Sequence, residues 1–111
     1  MQIHQSAEDY LETILMLNQR MGRVRSIDVV NELGYTKASV SIAMKKLREN
    51  GYIAVDGEGN LTLLEPGREI AERIYSRHRL LTHFFVQLGV EEDIAAEDAC
   101  KAEHILSEQT L

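Results

Sequence analysis

The sequence predicts a mainly α protein: an N-terminal three-helix unit closed by a small β-hairpin, followed by a region of two further helices. Three observations carry that expectation. Apolar residues recur at helical spacing over five segments; Gly22, Gly34, Gly51 and Gly89 close four of them; and the strand-like stretch is split by Asp56-Gly57-Glu58-Gly59-Asn60.

Taken in order, Ser6 is placed to cap a first helix, with Glu8 and Asp9 in the first turn, where the helix dipole favours acids. Leu11, Ile14, Leu15 and Met16 carry it to about Arg20. Ser26 is expected to cap a second helix, Ile27 to Leu33, with Ile27, Val30 and Leu33 inward. Thr36 caps a third, running to about Asn50, with Val40, Ala43, Met44 and Leu47 at core spacing. Residues 52–55 and 61–64 read as the two strands of the hairpin. Pro66 suits the first turn of a long fourth helix to Leu88, striped by Ile70, Ile74, Leu81, Phe85 and Leu88, with His78 in line. A fifth helix starts near Glu92 and keeps its apolar period (Ile94, Ala95, Ala99, Ala102, Ile105, Leu106), with the helical pattern still running at Leu111.

Helix, helix, turn, helix, hairpin is the order of a winged helix-turn-helix. Its third helix has the chemistry to read DNA. Thr36, Lys37, Ala38, Ser39, Ser41 and Ile42 put short or hydrogen-bonding groups near the helix start, where it would enter the major groove. Lys45, Lys46 and Arg48 offer cations to phosphates. The plain alternative is a helical hairpin in a small bundle, its lysines a solvated face. Asp56 and Glu58 in the wing are poor company for phosphate.

The 111 residues carry a net charge of −6, but unevenly. Residues 23–48 hold six basic side chains against two acids, while residues 88–111 hold seven acids against one lysine. The acidic end is a natural place for a cation. One cysteine excludes an internal disulfide and suits a reducing compartment. No apolar run is long enough to span a membrane, so a soluble, cytoplasmic protein is expected. The chain lacks a glycine loop of the oxyanion type and is too small for a substrate cleft, which argues against an enzyme.

Asp9-x-x-Glu12 places two carboxylates on one helical face, and Cys100-x-x-Glu103-His104 places thiol, carboxylate and imidazole on another. His78 is a further candidate between them. Singly, each has an ordinary reading: a core histidine, a buried cysteine, first-turn acids. Together they are the ligand types of a divalent transition-metal site. A structural zinc staple, usually richer in cysteine, fits less well.

These residues also resemble a known family, the diphtheria toxin repressor family of metal-dependent regulators, and within it the manganese transport regulators. The resemblance runs over nearly the whole chain and rests on residues 7–14 (Ala-Glu-Asp-Tyr-Leu-Glu-Thr-Ile), Ser39-Val40-Ser41, Leu63 to Gly67, Arg77-His78-Arg79-Leu80-Leu81, and Cys100 to Ser107. It implies a winged helix followed by a helical dimerisation region, with metal held where the two meet. It also implies that Asp9, Glu12, His78, Glu103 and His104 are ligands, with Glu103 bridging two ions. Cys100 stands where the manganese regulators have glutamate and the iron-responsive branch has cysteine. That branch carries methionine at the position of Asp9, and its ancillary site uses glutamate and histidine where this chain has Thr82 and Ala96. By resemblance, therefore, the ligand set is a hybrid.

The chain is expected to form a DNA-binding domain over 1–65 and a helical metal-binding and dimerisation region over 66–111. Leu80, Leu81, Phe84, Phe85, Ile105 and Leu106 exceed what a single short unit can bury, which points to a homodimer. The expected function is a repressor that binds double-stranded operator DNA when loaded with manganese or iron(II), zinc and cobalt being accepted in vitro, and that controls metal-uptake genes. Two alternatives stand beside it: a metal-independent winged-helix regulator answering a small molecule, and a metal-storage protein with no DNA partner.

Overall fold

The computed structural model describes residues 5–111 and runs α1 (Gln5–Met21), α2 (Ser26–Leu33), α3 (Lys37–Glu49), β1 (Ile53–Val55), β2 (Leu61–Leu63), α4 (Glu65–Gln87) and α5 (Glu92–Ala102). Residues 1–4, where the expected first domain begins, lie outside the described residues. Two compact units divide between Glu72 and Arg73, inside α4. The start of α4 belongs with the first unit for a steric reason. A Cβ on Gly67 would stand 2.2 Å from the Tyr52 carbonyl oxygen, so only glycine lets this helix lie against the hairpin. No helix among the described residues is long and apolar enough to cross a membrane.

In the first unit α1, α2 and α3 pack on one another, and the hairpin rests on α1 and α3. Leu11, Ile14 and Leu17 on α1 are buried completely or nearly so. Each contributes about 2 kcal/mol by leaving water, more than a helix of this length gains from propensity alone. Tertiary packing therefore holds α1. On α3, Val40, Met44 and Leu47 are buried at the expected spacing, and Thr36 caps the helix by accepting the Ser39 N–H at 3.1 Å.

Several local expectations are corrected. Ser6 lies inside α1 and does not cap it. At the start of α2 the capping residue is Arg25, not Ser26: the Asp28 carboxylate reaches back to accept the Arg25 N–H at 2.9 Å. Val29 is the buried centre of α2 and Ile27 is 43% exposed, because the helix is rolled to seat Val29 on its neighbours. Gly34 then ends α2 in the left-handed region, φ 72°, donating its N–H to the Val30 carbonyl.

β1 and β2 are antiparallel with Ile53 opposite Leu63 and Val55 opposite Leu61. Asp56 organises the turn, its Oδ1 accepting the N–H groups of Glu58 and Asn60, both at 2.9 Å. A third strand-like link, which the periodicity does not indicate, comes from before α2. There the Leu61 N–H donates to the Val24 carbonyl, Arg25 bridges to Asn60, and the Arg25 guanidinium donates to the Glu58 carbonyl.

In the second unit Ile74 and Leu81 on α4 and Ala95 and Ala99 on α5 are buried. Leu88, expected on the buried stripe, is 67% exposed. The largest correction is at α5. It stops at Ala102 instead of running on, and Glu103 is its capping residue.

Candidate metal centre

Two groups of candidate ligands occur, one in each compact unit. In the first unit, α1 carries Asp9 and Glu12 one helical turn apart, Glu12 buried and Asp9 half-buried. Burying a carboxylate is costly unless charge or hydrogen bonds answer it. Beside them Tyr10 sits with its ring edge-on to Tyr35, centroids 5.9 Å apart. Burial first, then Tyr35 and Asp9, push the Tyr10 phenol above its ordinary range.

In the second unit the side chains converge on Glu103, which is completely buried. His78, from the middle of α4, brings Nδ1 to 3.0 Å from Glu103 Oε2. On the other side His104 Nε2 stands 3.4 Å from Glu103 Oε1. That Oε1 is buried and accepts no hydrogen bond among the described residues.

The arrangement depends on the correction at α5. The spacing predicts Cys100, Glu103 and His104 on one face of a continuous helix; instead only Cys100 is helical, and it is exposed. Glu103 and His104 lie at the turn that follows. The chain leaves the helix where Arg77 on α4 donates from Nη1 to the carbonyl oxygens of Glu103, at 3.2 Å, and Leu106, at 3.0 Å. Those carbonyls have no partner in a helix that has ended. The contribution of Arg77 is not visible from spacing. Its one signal is that it directly precedes His78.

The donor set fits a divalent cation. A carboxylate flanked by two imidazoles, one of its oxygens buried without a hydrogen bond, is unfavourable for the bare protein, since each buried ion costs several kcal/mol even after relaxation. Carboxylate and imidazole are ligands of manganese, iron and zinc alike. Thr82 does not extend the set: its hydroxyl donates to the His78 carbonyl at 2.7 Å.

The residues expected to meet DNA behave as a set. Thr36, Lys37, Ala38, Ser39, Ser41, Ile42, Lys45, Lys46 and Arg48 are all exposed, opposite the buried side of α3. The Thr36 hydroxyl is partly engaged, donating to Ser39 Oγ at 2.9 Å.

Comparison with known proteins gives one consistent picture. Residues 2–61 match the family described as the N-terminal DNA binding domain of iron dependent repressors. Residues 64–111 match the family described as their metal binding and dimerisation domain. An HTH-type transcriptional regulator of Methanocaldococcus jannaschii is 36% identical over 109 residues, 96% of this chain and 87% of its own length. The transcriptional regulator MntR of Escherichia coli O157:H7 is 33% identical over 104 residues, 94% of this chain and 67% of its own. Among solved structures, a manganese-dependent transcriptional repressor in complex with manganese superposes with a TM-score of 0.85 at 30% identity, over 94% of this chain and 48% of that one. The chain thus spans about half the length of that structure. Both of these relatives are named as regulators of transcription.

Proposed function

Because the chain belongs to the family of iron-dependent repressors, metal-dependent regulators of transcription, we propose that it represses metal-uptake genes in the cytoplasm. In this reading it binds operator DNA as a homodimer when loaded with manganese or iron(II). One observation carries the metal half of the reading: Glu103, wholly buried between two imidazoles, keeps an oxygen without a hydrogen bond among the described residues. His78, Glu103 and His104, with Asp9, Glu12 and Cys100, are the proposed ligands.

When bound, the cation supplies positive charge to carboxylates that burial has stripped of water. The protein's own groups do the rest. Asp9 and Glu12 sit on α1, whose buried face also supports α3, while His78, Glu103 and His104 belong to the unit matched to dimerisation. Shared ligation favours one orientation of the DNA-reading helices, and so selects paired half-sites at a set spacing. On α3 the short side chains admit the helix to the major groove, and Lys45, Lys46 and Arg48 hold phosphates.

The test is selection of bound sequences from a random duplex pool, under anaerobic and reducing conditions, with manganese, iron(II), cobalt, zinc or no metal. An enriched palindrome that appears only with metal, and that Asp9→Ala and His104→Ala fail to retain, is the expected result. The same palindrome enriched without metal would overturn the metal dependence.

A further inference from the structure

We propose that Arg77 is a positioning residue for the metal ligands, gripping the backbone that presents Glu103 and His104; the proposal rests on the metal-dependent reading above. Arg77 and His78 are consecutive on α4 and act on the same short stretch in different ways. His78 meets the Glu103 side chain, Nδ1 to Oε2 at 3.0 Å. Arg77 meets the main chain, its Nη1 donating to the Glu103 carbonyl at 3.2 Å and the Leu106 carbonyl at 3.0 Å. The two carbonyls lie on either side of His104.

Two backbone hydrogen bonds also bear on this stretch. Glu103 closes the last α-helical bond, donating its N–H to the Ala99 carbonyl at 2.9 Å, and the Ile105 N–H turns to the Ala102 carbonyl at 3.1 Å. After that the helix is over, and its last carbonyls need donors. A guanidinium suits this role, because each terminal nitrogen carries two N–H groups in a fixed plane and its charge does not titrate. A cation beside the C-terminus of a helix also answers the dipole.

The choice of acceptor matters for function. An arginine paired with the Glu103 carboxylate would occupy the oxygens a metal needs. Here both hydrogen bonds go to carbonyls, and Glu103 Oε1 stays without one among the described residues. The cation therefore orders the ligand-bearing turn without competing for its carboxylate. Outer-shell partners of this sort typically change metal affinity by about 10–100-fold when removed.

The experiment compares the whole chain as wild type, Arg77→Met, Arg77→Lys and Glu103→Gln. Manganese affinity is read by competition with a fluorescent chelator, the visible spectrum at saturating cobalt(II), and the fold of the metal-free proteins by far-ultraviolet circular dichroism. Arg77→Met should remain folded, bind manganese about 10–100-fold more weakly, and show altered cobalt bands even at saturation. Arg77→Lys, which can still donate to a carbonyl, should recover part of both. A role in folding alone would leave the saturated cobalt spectrum of the folded fraction as in the wild type, and that result overturns the proposal, as does unchanged manganese affinity in Arg77→Met. Glu103→Gln tests the underlying reading separately. If it binds manganese as the wild type does, or the wild type binds neither metal, the metal site itself is wrong and the role of Arg77 falls with it.

Discussion

Cys100 sets this chain's candidate ligands apart, because a thiol stands exposed on α5 three residues before a buried glutamate. Thiolate is softer than carboxylate, and divalent affinity tends to rise from manganese through iron to cobalt. If Cys100 ligates, Cys100→Glu should raise the response to manganese relative to cobalt and zinc in a DNA-binding titration kept reduced. Identical responses of the two proteins to all three metals would remove Cys100 from the set. Asp56 gives a second residue-scale expectation, of a different kind. Hydrogen bonds from the backbone and then the side chain of Asn60 hold its carboxyl below the ordinary range. A depressed value means the charged form is favoured in the fold. Its support of the wing is complete above the ordinary carboxylate range and is lost as pH falls through the lower, folded value. The Asn60 amide resonance should move in that acid window in the wild type and stay flat in Asp56→Ala. A flat wild-type profile would show that the turn does not rely on this charge.

Among the elements, α3 shows local chemistry setting a functional surface. Thr36→Ala removes the cap that starts it, at a cost of about 1 kcal/mol, and should weaken DNA binding further by fraying the turn that enters the groove. Gly67→Ala should cost more, on the order of 1–3 kcal/mol for forced overpacking, because the added Cβ meets the Tyr52 carbonyl and not a side chain that can turn away. Denaturant midpoints measure both, and a Gly67→Ala protein as stable as the wild type would mean that the start of α4 shifts freely. These elements also divide what could be read beforehand from what could not. The Thr36 cap, the Val40, Met44 and Leu47 stripe and the hairpin around Asp56 follow from residues within a few positions of one another, so their pattern suffices. The end of α5 does not. Ile105 and Leu106 continue the helical period, yet the helix stops at Ala102, and the chain beyond it meets a guanidinium from α4, 26 residues before Glu103. The roll of α2 onto Val29 is likewise decided by its neighbours. Asp9, Glu12, His78, Cys100, Glu103 and His104 could be named as candidates because their chemistry marks them; the turn that carries Glu103 and His104, and the hydrogen bonds of Arg77 to it, could not.

At the scale of the whole molecule the uneven charge and the exposed apolar surface point to two partners. The basic stretch over residues 23–48 includes Lys45 and Lys46, both exposed on α3. Removing one phosphate-binding cation should lower the slope of log K against log salt by about 0.9 on duplex DNA. An unchanged slope in a Lys45→Gln, Lys46→Gln protein would take both residues out of the interface. The second partner proposed is another copy of this chain. On α4 Leu81 is turned inward, yet Leu80 and Phe84 of that helix and Leu88 just past its end recur every four residues and are 50%, 54% and 67% exposed. Ile105, beyond α5, is 75% exposed. Such a row is unusual for a surface left to water, and it lies in the part of the chain matched to dimerisation. Phe84→Asp would place a charge in the middle of that row, at a side chain that is more than half exposed, so the variant should stay folded but sediment as a monomer. DNA binding should then fall much further than stability does. Two linked reading helices gain roughly 10²–10⁴ in avidity over one when the half-sites match their spacing, and a monomer forfeits all of it. Sedimentation and operator titration on the same metal-loaded sample check the two halves together. A Phe84→Asp protein that remains dimeric would move the interface off this face of α4, whereas a monomer that binds the full operator as tightly as the wild type would show that paired reading is not what selects the site.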